Sequence, residues 1–551
     1  IPYHVPLIYG KPIVGSEAFT GMALYSDSPI DLKLYGDMAY SLGVNRMILH
    51  SYVHQPTDRR PGVTLGIYGQ TFNRNNLWFN YSDGFFATEA RIQYMLQAGD
   101  RRSDALVYMG DNLPNTELKE GELNRLLPPN TKYQYINQEV LLDRISVRDG
   151  KLYLDGVHPF KYLMLRGDKM DIETIRRIEE LVNAGALIYG QKPSSTLSLK
   201  DHDAQTAELR QIAARLWDSG KVITDLKTLK KSFTPDLSLR GVDIDDVLYI
   251  HKTLGELDYY YIVNKENSST VNFEATFDIK NGRPEIWDPM TGGVREQMMY
   301  INSGELTTVP MTLGPRQGVF VVFRKGGDRQ SHIRRLVNID GEIIFPDETG
   351  DFSRALPEAY RGEDGEIHLR SLEAGSYVLG YSDVLSSRVD IEAPAKLVLD
   401  GTVGTMTFED EPMLGTVNIG GFRNLTGALD PVVKHYSGVI TYRTEADLPE
   451  GFIKPGRRVL ISIPAFGSTA RLTVNGHTLE TIWDPYFKAD ITEYVKSGKN
   501  ELVIVVTNPW RNRLVGDKAG VPSSQKLWTT SPLQQKHIPP QQIIHEYTLL
   551  Y

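Results

Sequence analysis

Pro12-Ile13-Val14-Gly15-Ser16-Glu17-Ala18-Phe19 and Arg46-Met47-Ile48-Leu49-His50-Ser51-Tyr52 are two short apolar runs with one helical pattern between them. The first, from Lys11 to Phe19, reads as a strand. Ser26-Asp27-Ser28 supplies capping residues, and Pro29 stands where a first helical position tolerates proline. Leu32, Leu34, Tyr35, Met38, Ala39 and Leu42 recur near helical spacing, which predicts a helix over Ile30–Leu42 closed by Gly43. Strand, helix, strand is the repeat of a parallel α/β barrel. About two such units are legible, whereas a closed barrel of this kind has eight.

Outward from this stretch the pattern changes. Ala105-Leu106-Val107-Tyr108-Met109-Gly110 is a continuous apolar run, as in a parallel strand buried on both faces. Phe160–Leu165 and Ala186–Gly190 are similar, and Asp171–Ala184 places Ile172, Ile175, Ile178, Leu181 and Val182 on one helical face. Past about residue 236, short β-rich runs alternate with Gly, Pro and Asp. Asp258–Asn264, Val319–Phe323, Arg458–Ile463, Ala470–Val474 and Glu501–Val506 read as strands. Asn475-Gly476 is a hairpin signal, and Gly326-Gly327-Asp328 reads as a linker. The expected fold class is multidomain α/β plus β. Residues 1–103 would be the end of a (β/α)8 barrel and 104–235 an α/β domain. Residues 236–326 would be a β-sandwich, 327–428 a β-rich module and 429–551 a final β module.

Composition narrows the function. Of the 551 residues 41% are hydrophobic and 23% charged, which is ordinary globular usage. A formal net charge of −9 without a basic run argues against nucleic acid and anionic membrane surfaces as partners. No apolar stretch is long enough to span a bilayer. Cysteine is absent, so disulfides, thiolate metal sites and a Cys nucleophile are excluded. The chain opens Ile1-Pro2-Tyr3-His4, without Met or a signal peptide, which reads as a processed, cut or partly supplied sequence. The 29 tyrosines suit sugar contacts and β-sheet cores equally.

Glu17 falls at the C-terminal end of a barrel-type strand, the rim where such folds keep their chemistry. A carboxylate there can serve as general base or nucleophile at an anomeric carbon; a rim ion pair is the alternative. His50 and His54 sit at and just past the end of the next strand. Hydrogen bonding to sugar hydroxyls suits them better than metal binding, and structural histidines under a loop are the competing reading. Arg74, Trp78 and Tyr81 follow in Asn73-Arg74-Asn75-Asn76-Leu77-Trp78-Phe79-Asn80-Tyr81. They offer a hydroxyl contact and a stacking platform, or a packed loop before a helix. Asp243, Asp245 and Asp246 lack the spacing of a Ca²⁺ loop and read as a solvated turn.

With Gly15-Ser16-Glu17-Ala18-Phe19-Thr20 followed by Gly43–Tyr52 and Val53-His54-Gln55-Pro56, the sequence resembles the α-L-rhamnosidases of glycoside hydrolase family 106. Residues 104–235 are similar to the amidotransferase-like α/β domain of large glycosidases. Glu285–Gly292 resembles a β-module motif found after such domains. Tyr436–Gly438 through Asn508–Asp517 resembles the jelly-roll, galactose-binding-like module of these enzymes. The resemblance implies an exo-acting enzyme that removes terminal α-L-rhamnose with inversion. It implies an oligosaccharide or polysaccharide substrate and a Ca²⁺ on the sugar hydroxyls, with ligands unknown. It makes Glu17 a catalytic carboxylate, read as the general base. His50, His54, Arg74 and Trp78 are then the expected substrate contacts. An inverting pair stands roughly 6.5–9.5 Å apart. No second strand-end Glu is visible, and Glu89 lies in a predicted helix. The partner acid is therefore expected from an N-terminal half of the same enzyme. A periplasmic or secreted bacterial location is expected. An exo-glycosidase of galactosidase- or glucuronidase-like specificity, or a non-catalytic carbohydrate-binding protein, stays open as an alternative.

Overall fold

A computed structural model describes residues 8–531 and 549–550, apart from 22–24, 113–119, 124, 156–157, 267, 325–330, 363, 384, 400 and 465. The opening Ile1-Pro2-Tyr3-His4 and the Gly326–Asp328 linker lie outside the described residues. The chain is multidomain and mostly β, with helices concentrated in its first 235 residues.

The first strand, β1 (Gly15–Ala18), is shorter than the run that predicts it. Helix α1 spans Pro29–Leu42: the Ser28 and Asp31 side chains form a capping box, Pro29 opens the helix, and Gly43 closes it at φ 110°. Strand β2 (Arg46–Leu49) pairs parallel with β1, Glu17 opposite Ile48. Helix α2 (Asp83–Gln97) follows. Next come four parallel strands, β3 (Ala105–Tyr108), β4 (Tyr133–Ile136), β5 (Tyr162–Leu165) and β6 (Ile188–Tyr189), in the order β6-β5-β3-β4. Their apolar runs are continuous because both faces are covered. Leu106, Leu163 and Leu165 meet Ile175, Ile178 and Leu181 of helix α3 (Ile172–Asn183). Ala105, Val107 and Met164 meet Leu123 and Leu229 on the other side.

Strands β7 (Val247–Leu254) and β8 (Leu257–Asn264) are neighbours in a six-stranded sheet. Beside them lie β10 (Arg283–Trp287), β11 (Val294–Glu296) and β13 (Gly318–Arg324), with Asp100–Arg101 at one edge. An opposing four-stranded sheet contains β9 (Val271–Phe277) and β12 (Leu306–Leu313). Tyr260, Ile262, Val321 and Phe323 fill the space between the sheets. The alternate residues Tyr259, Tyr261, Val263 and Phe320 pack instead with Tyr40, Ile92 and Leu96 of α1 and α2. The Tyr259-Tyr260-Tyr261 run is buried on both faces for that reason.

A further four-stranded sheet orders Ile343–Phe345, Ile333–Asn338, Gly375–Tyr381 and Ser386–Ile391 beside a hairpin of β14 (Glu358–Arg361) and β15 (Ile367–Arg370). In the last β unit, β16 (Gly438–Leu448), β17 (Thr469–Val474) and β19 (Gly498–Asn508) share one sheet with Gly404–Phe408 and Thr416–Ile419. A boundary at 428 therefore cuts through a sheet; the break precedes these two strands, whose Met406 and Phe408 belong to the last core. Asn475 and Gly476, at φ 47° and 85°, turn β17 into β18 (His477–Thr478), as their sequence predicts. No described helix is long and apolar enough to cross a membrane.

Candidate active site at the end of the first two strands

Parallel pairing of β1 with β2 gives this small sheet two unlike faces. Met47 joins the apolar contacts of both helices, with Tyr40 and Ile92 in one cluster and Ala18, Phe19 and Phe85 in another. Glu17 and Ile48, side by side in the register, lie on the opposite face; Ile48 is 58% exposed. Gly15 leaves space there, since a Cβ would stand 3.3 Å from Ile48 Cδ1.

Phe19 follows β1 with φ 66°, a region that costs a non-glycine residue about 1 kcal/mol or more. Its ring is held among Phe72 and Phe85, at centroid distances of 6.1 and 6.4 Å. That packing fixes the reversal of the chain, and the Thr20 hydroxyl donates back to Glu17 Oε1 at 2.5 Å. Glu17 is exposed yet oriented. The sequence reading set Phe19 and Thr20 beside Glu17 but assigned neither its role in the turn, because a positive φ has no residue signature at phenylalanine.

His50 N–H donates to Ala18 O at 3.0 Å, which seats His50 beside the end of β1. Gln70 N–H donates to His50 O, and Ser51 N–H to Gln70 O, each at 2.9 Å. Gly69 lies so close that a Cβ would meet His50 Nδ1 at 2.4 Å, and Gly69 N–H donates to Gly21 O at 2.8 Å. Three loops thus converge on one corner. His50 Nδ1 is buried with no hydrogen-bond partner among the described residues. Asp27 belongs to the same corner: its Oδ2 accepts from Gln70 Nε2 at 2.8 Å. Burial, with the charge of Asp31, pushes its carboxyl up to about 6 against the pull of Arg511. The sequence reading used Asp27 only as capping material.

His54 is exposed, past the β2 end. The neighbouring loop is organised by Gln55, which is buried. Gln55 Nε2 donates to Val63 O at 2.7 Å, while Gln55 Oε1 accepts from Val63 N at 2.9 Å and Asn75 Nδ2 at 3.2 Å. Arg74 Nη2 donates to Gln55 O and Thr57 O and pairs with Asp58, so its guanidinium braces the loop that carries His54. Trp78 requires a correction. It is 1% exposed, edge-on to Phe72 and Phe85, with its Nε1–H donating to Asp27 O at 3.2 Å. A ring covered in this way has no free face for a sugar. Tyr81 lies under the Arg471 guanidinium at 4.8 Å.

The last β unit reaches into this corner. Trp510 Nε1–H donates to Asn75 O at 2.6 Å. Trp528–Thr529 adds a parallel strand to Pro61–Gly62, Thr530 Oγ1 accepts from Thr64 N at 2.9 Å, and Tyr25 shares a 2.9 Å hydrogen bond with Thr529. Sequence reasoning missed this brace, which joins positions more than 400 residues apart. Among the described residues no three His, Asp or Glu side chains gather as a metal ion requires. Among the described residues this gives the Ca²⁺ implied by the resemblance no cluster of acidic or histidine ligands.

A putative beta-glucuronidase of Formosa agariphila is 34% identical over 342 residues, covering 61% of this chain and 29% of that protein. The solved rhamnosidase of Novosphingobium sp. PP1Y is similar over 100% of this chain, with a TM-score of 0.78 and 26% identity. The chain spans 48% of that structure, about half its length. The family model described as alpha-L-rhamnosidase matches residues 4–301, more than half of the chain. This chain therefore belongs to glycoside hydrolase family 106, the α-L-rhamnosidases.

Proposed function

We propose that this chain carries part of the active site of an exo-acting α-L-rhamnosidase that hydrolyses terminal α-L-rhamnose with inversion, Glu17 acting as general base. The observation that carries the reading is the Glu17 carboxylate, exposed at the C-terminal end of a parallel strand and oriented by Thr20. A base in that position would take a proton from the water that attacks the anomeric carbon. His50 and His54 are read as contacts to sugar hydroxyls, and Arg74 as the brace of their loop. We read β1, α1, β2 and α2 as the end of a (β/α)8 barrel. Ile48 and Leu49, 58% and 38% exposed, fit a sheet extended by further strands, from which the partner acid would come. The α/β layer is read as amidotransferase-like and the last β unit as a jelly roll. We place the enzyme in the periplasm or outside a bacterial cell, where polysaccharide fragments are met.

Glu17→Gln in the natural full-length enzyme tests the base. Turnover of p-nitrophenyl α-L-rhamnoside should fall about 10³-fold with substrate binding kept; an active variant removes Glu17 from the chemistry. Proton NMR of the first-formed anomer decides inversion. A second reading, glucuronidase specificity, is favoured by the name of the relative from Formosa agariphila. Turnover of a β-glucuronide, with the rhamnoside untouched, would select it.

A further inference from the structure

Three β units meet around a cleft of about 930 Å³ that the proposed reaction does not use. Its floor is β12 and β13 of the two-sheet unit, with Met311, Leu313 and Val319 buried there. One wall is the β14–β15 hairpin and the other the 452–460 turn of the last β unit. The volume suits a ligand of a few sugar rings, within the range of small-molecule sites.

The cleft lining carries five cationic and five acidic side chains, but they are unevenly placed. Arg295 Nε pairs with Glu358 at 2.9 Å, and Arg370 Nη1 approaches the same carboxylate at 3.6 Å. Opposite them, Lys454 and Arg457 share Glu392. Four cations thus divide two carboxylates. Other acidic groups of the lining are already engaged: Asp288 accepts from Met290 N–H and the Thr291 hydroxyl, and Asp390 from Arg388. Glu373 adds one negative charge to the lining. Arg295 is the least satisfied group. Its Nη1 is buried without a hydrogen-bond partner among the described residues. Burial, with the charge of Arg370, holds its guanidinium below the ordinary range. A buried donor left unpaired costs on the order of 1–3 kcal/mol, and an anionic oxygen would satisfy it best.

We propose that this cleft is an accessory binding site for an acidic oligosaccharide, with a sugar carboxylate seated between Arg295 and Arg370. Such a site would hold a charged glycan chain on the enzyme while its rhamnose ends are removed. The choice of a saccharide rests on the glycosidase reading; the preference for an anion rests on Arg295 and Arg370 alone.

Calorimetric titration of the full-length enzyme with trigalacturonate and with neutral maltotriose tests the site. Trigalacturonate should bind. Arg295→Met and Arg370→Met should each weaken it about tenfold or more, the loss expected for one charge-assisted hydrogen bond. Maltotriose should bind at least about tenfold more weakly than trigalacturonate. Arg370→Lys, which keeps the charge, should bind more tightly than Arg370→Met, and thermal melts show which variants are folded. Absence of trigalacturonate binding up to about 20 mM, equal binding in folded Arg295→Met and Arg370→Met, or equal affinity for maltotriose overturns the proposal. Rhamnoside turnover of the full-length enzyme is read separately. Turnover without trigalacturonate binding sinks the cleft alone, and binding without turnover of any glycoside sinks the glycosidase reading alone.

Discussion

Glu17 depends on its neighbour three residues on. Replacing Thr20 by Val removes the hydroxyl that holds Glu17 Oε1 while keeping the branched shape. Turnover should drop about tenfold, the worth of one charge-assisted hydrogen bond, with KM nearly unchanged; Thr20→Ser should restore most of it. Steady-state kinetics of the three proteins decides this. Trp78 makes the opposite test. As a core residue it should cost about 3–5 kcal/mol when cut to Ala, read in urea melts. Trp78→Phe should leave KM within about twofold; a large rise in KM with the fold intact would return Trp78 to the sugar. Strand position was enough to put Glu17 and His50 at neighbouring strand ends. It was not enough for Trp78, because an aromatic that lines a cleft and one that fills the space beneath it have the same letter. The residues that decide are Phe72 and Phe85, which only the fold brings around it.

At the level of elements, α1 and α2 carry ionisable groups into an apolar contact with β8. Lys33 and Asp37 pair in the interior, and the Tyr261 hydroxyl donates to Asp37 at 2.7 Å. Glu89 of α2 accepts from the Tyr40 hydroxyl at 2.5 Å, and its Oε1 has no partner among the described residues. Burial pushes the Glu89 carboxyl up to about 7, with Asp37 adding and Tyr40 and Lys33 opposing. An acid that holds its proton more tightly when folded stabilises most below its unfolded pKa, about 4.5, and that stability is lost as pH rises through about 7. Against Glu89→Gln, the wild type should therefore lose on the order of 3 kcal/mol between pH 4.5 and 7. Paired thermal melts across that window check it; parallel curves would refute it. The helices themselves were legible from spacing, the caps of α1 included. Glu89 was seen to be helical, but helical spacing does not say that a carboxylate is buried. Nor does periodicity show that Gly404–Phe408 pairs with β16 across some thirty residues that include the Thr416–Ile419 strand, which is why the boundary at 428 cuts the sheet.

Across the whole molecule, the candidate site is a joint product of the first β–α units and the last β unit. Trp510→Phe should remove the hydrogen bond to Asn75 O and leave global stability within about 2 kcal/mol. Amide exchange over residues 53–76 should accelerate about tenfold while β3 to β6 keep their protection. Mass spectrometry of deuterium uptake reads both regions at once. The buried parallel strands of residues 105–189 and the β-rich remainder were readable from the runs, since parallel and antiparallel strands bury different numbers of faces. Contacts between units were not, since Pro61–Gly62 and Trp528–Thr529 give no local sign of each other. That pairing has a consequence in time. A ribosome releases Glu17, His50 and His54 hundreds of residues before the strand that braces their loop exists. The corner is drafted early and finished last, so a chain truncated between residues 75 and 527 keeps Glu17, His50, His54 and Arg74 and lacks the strand that sets their loop.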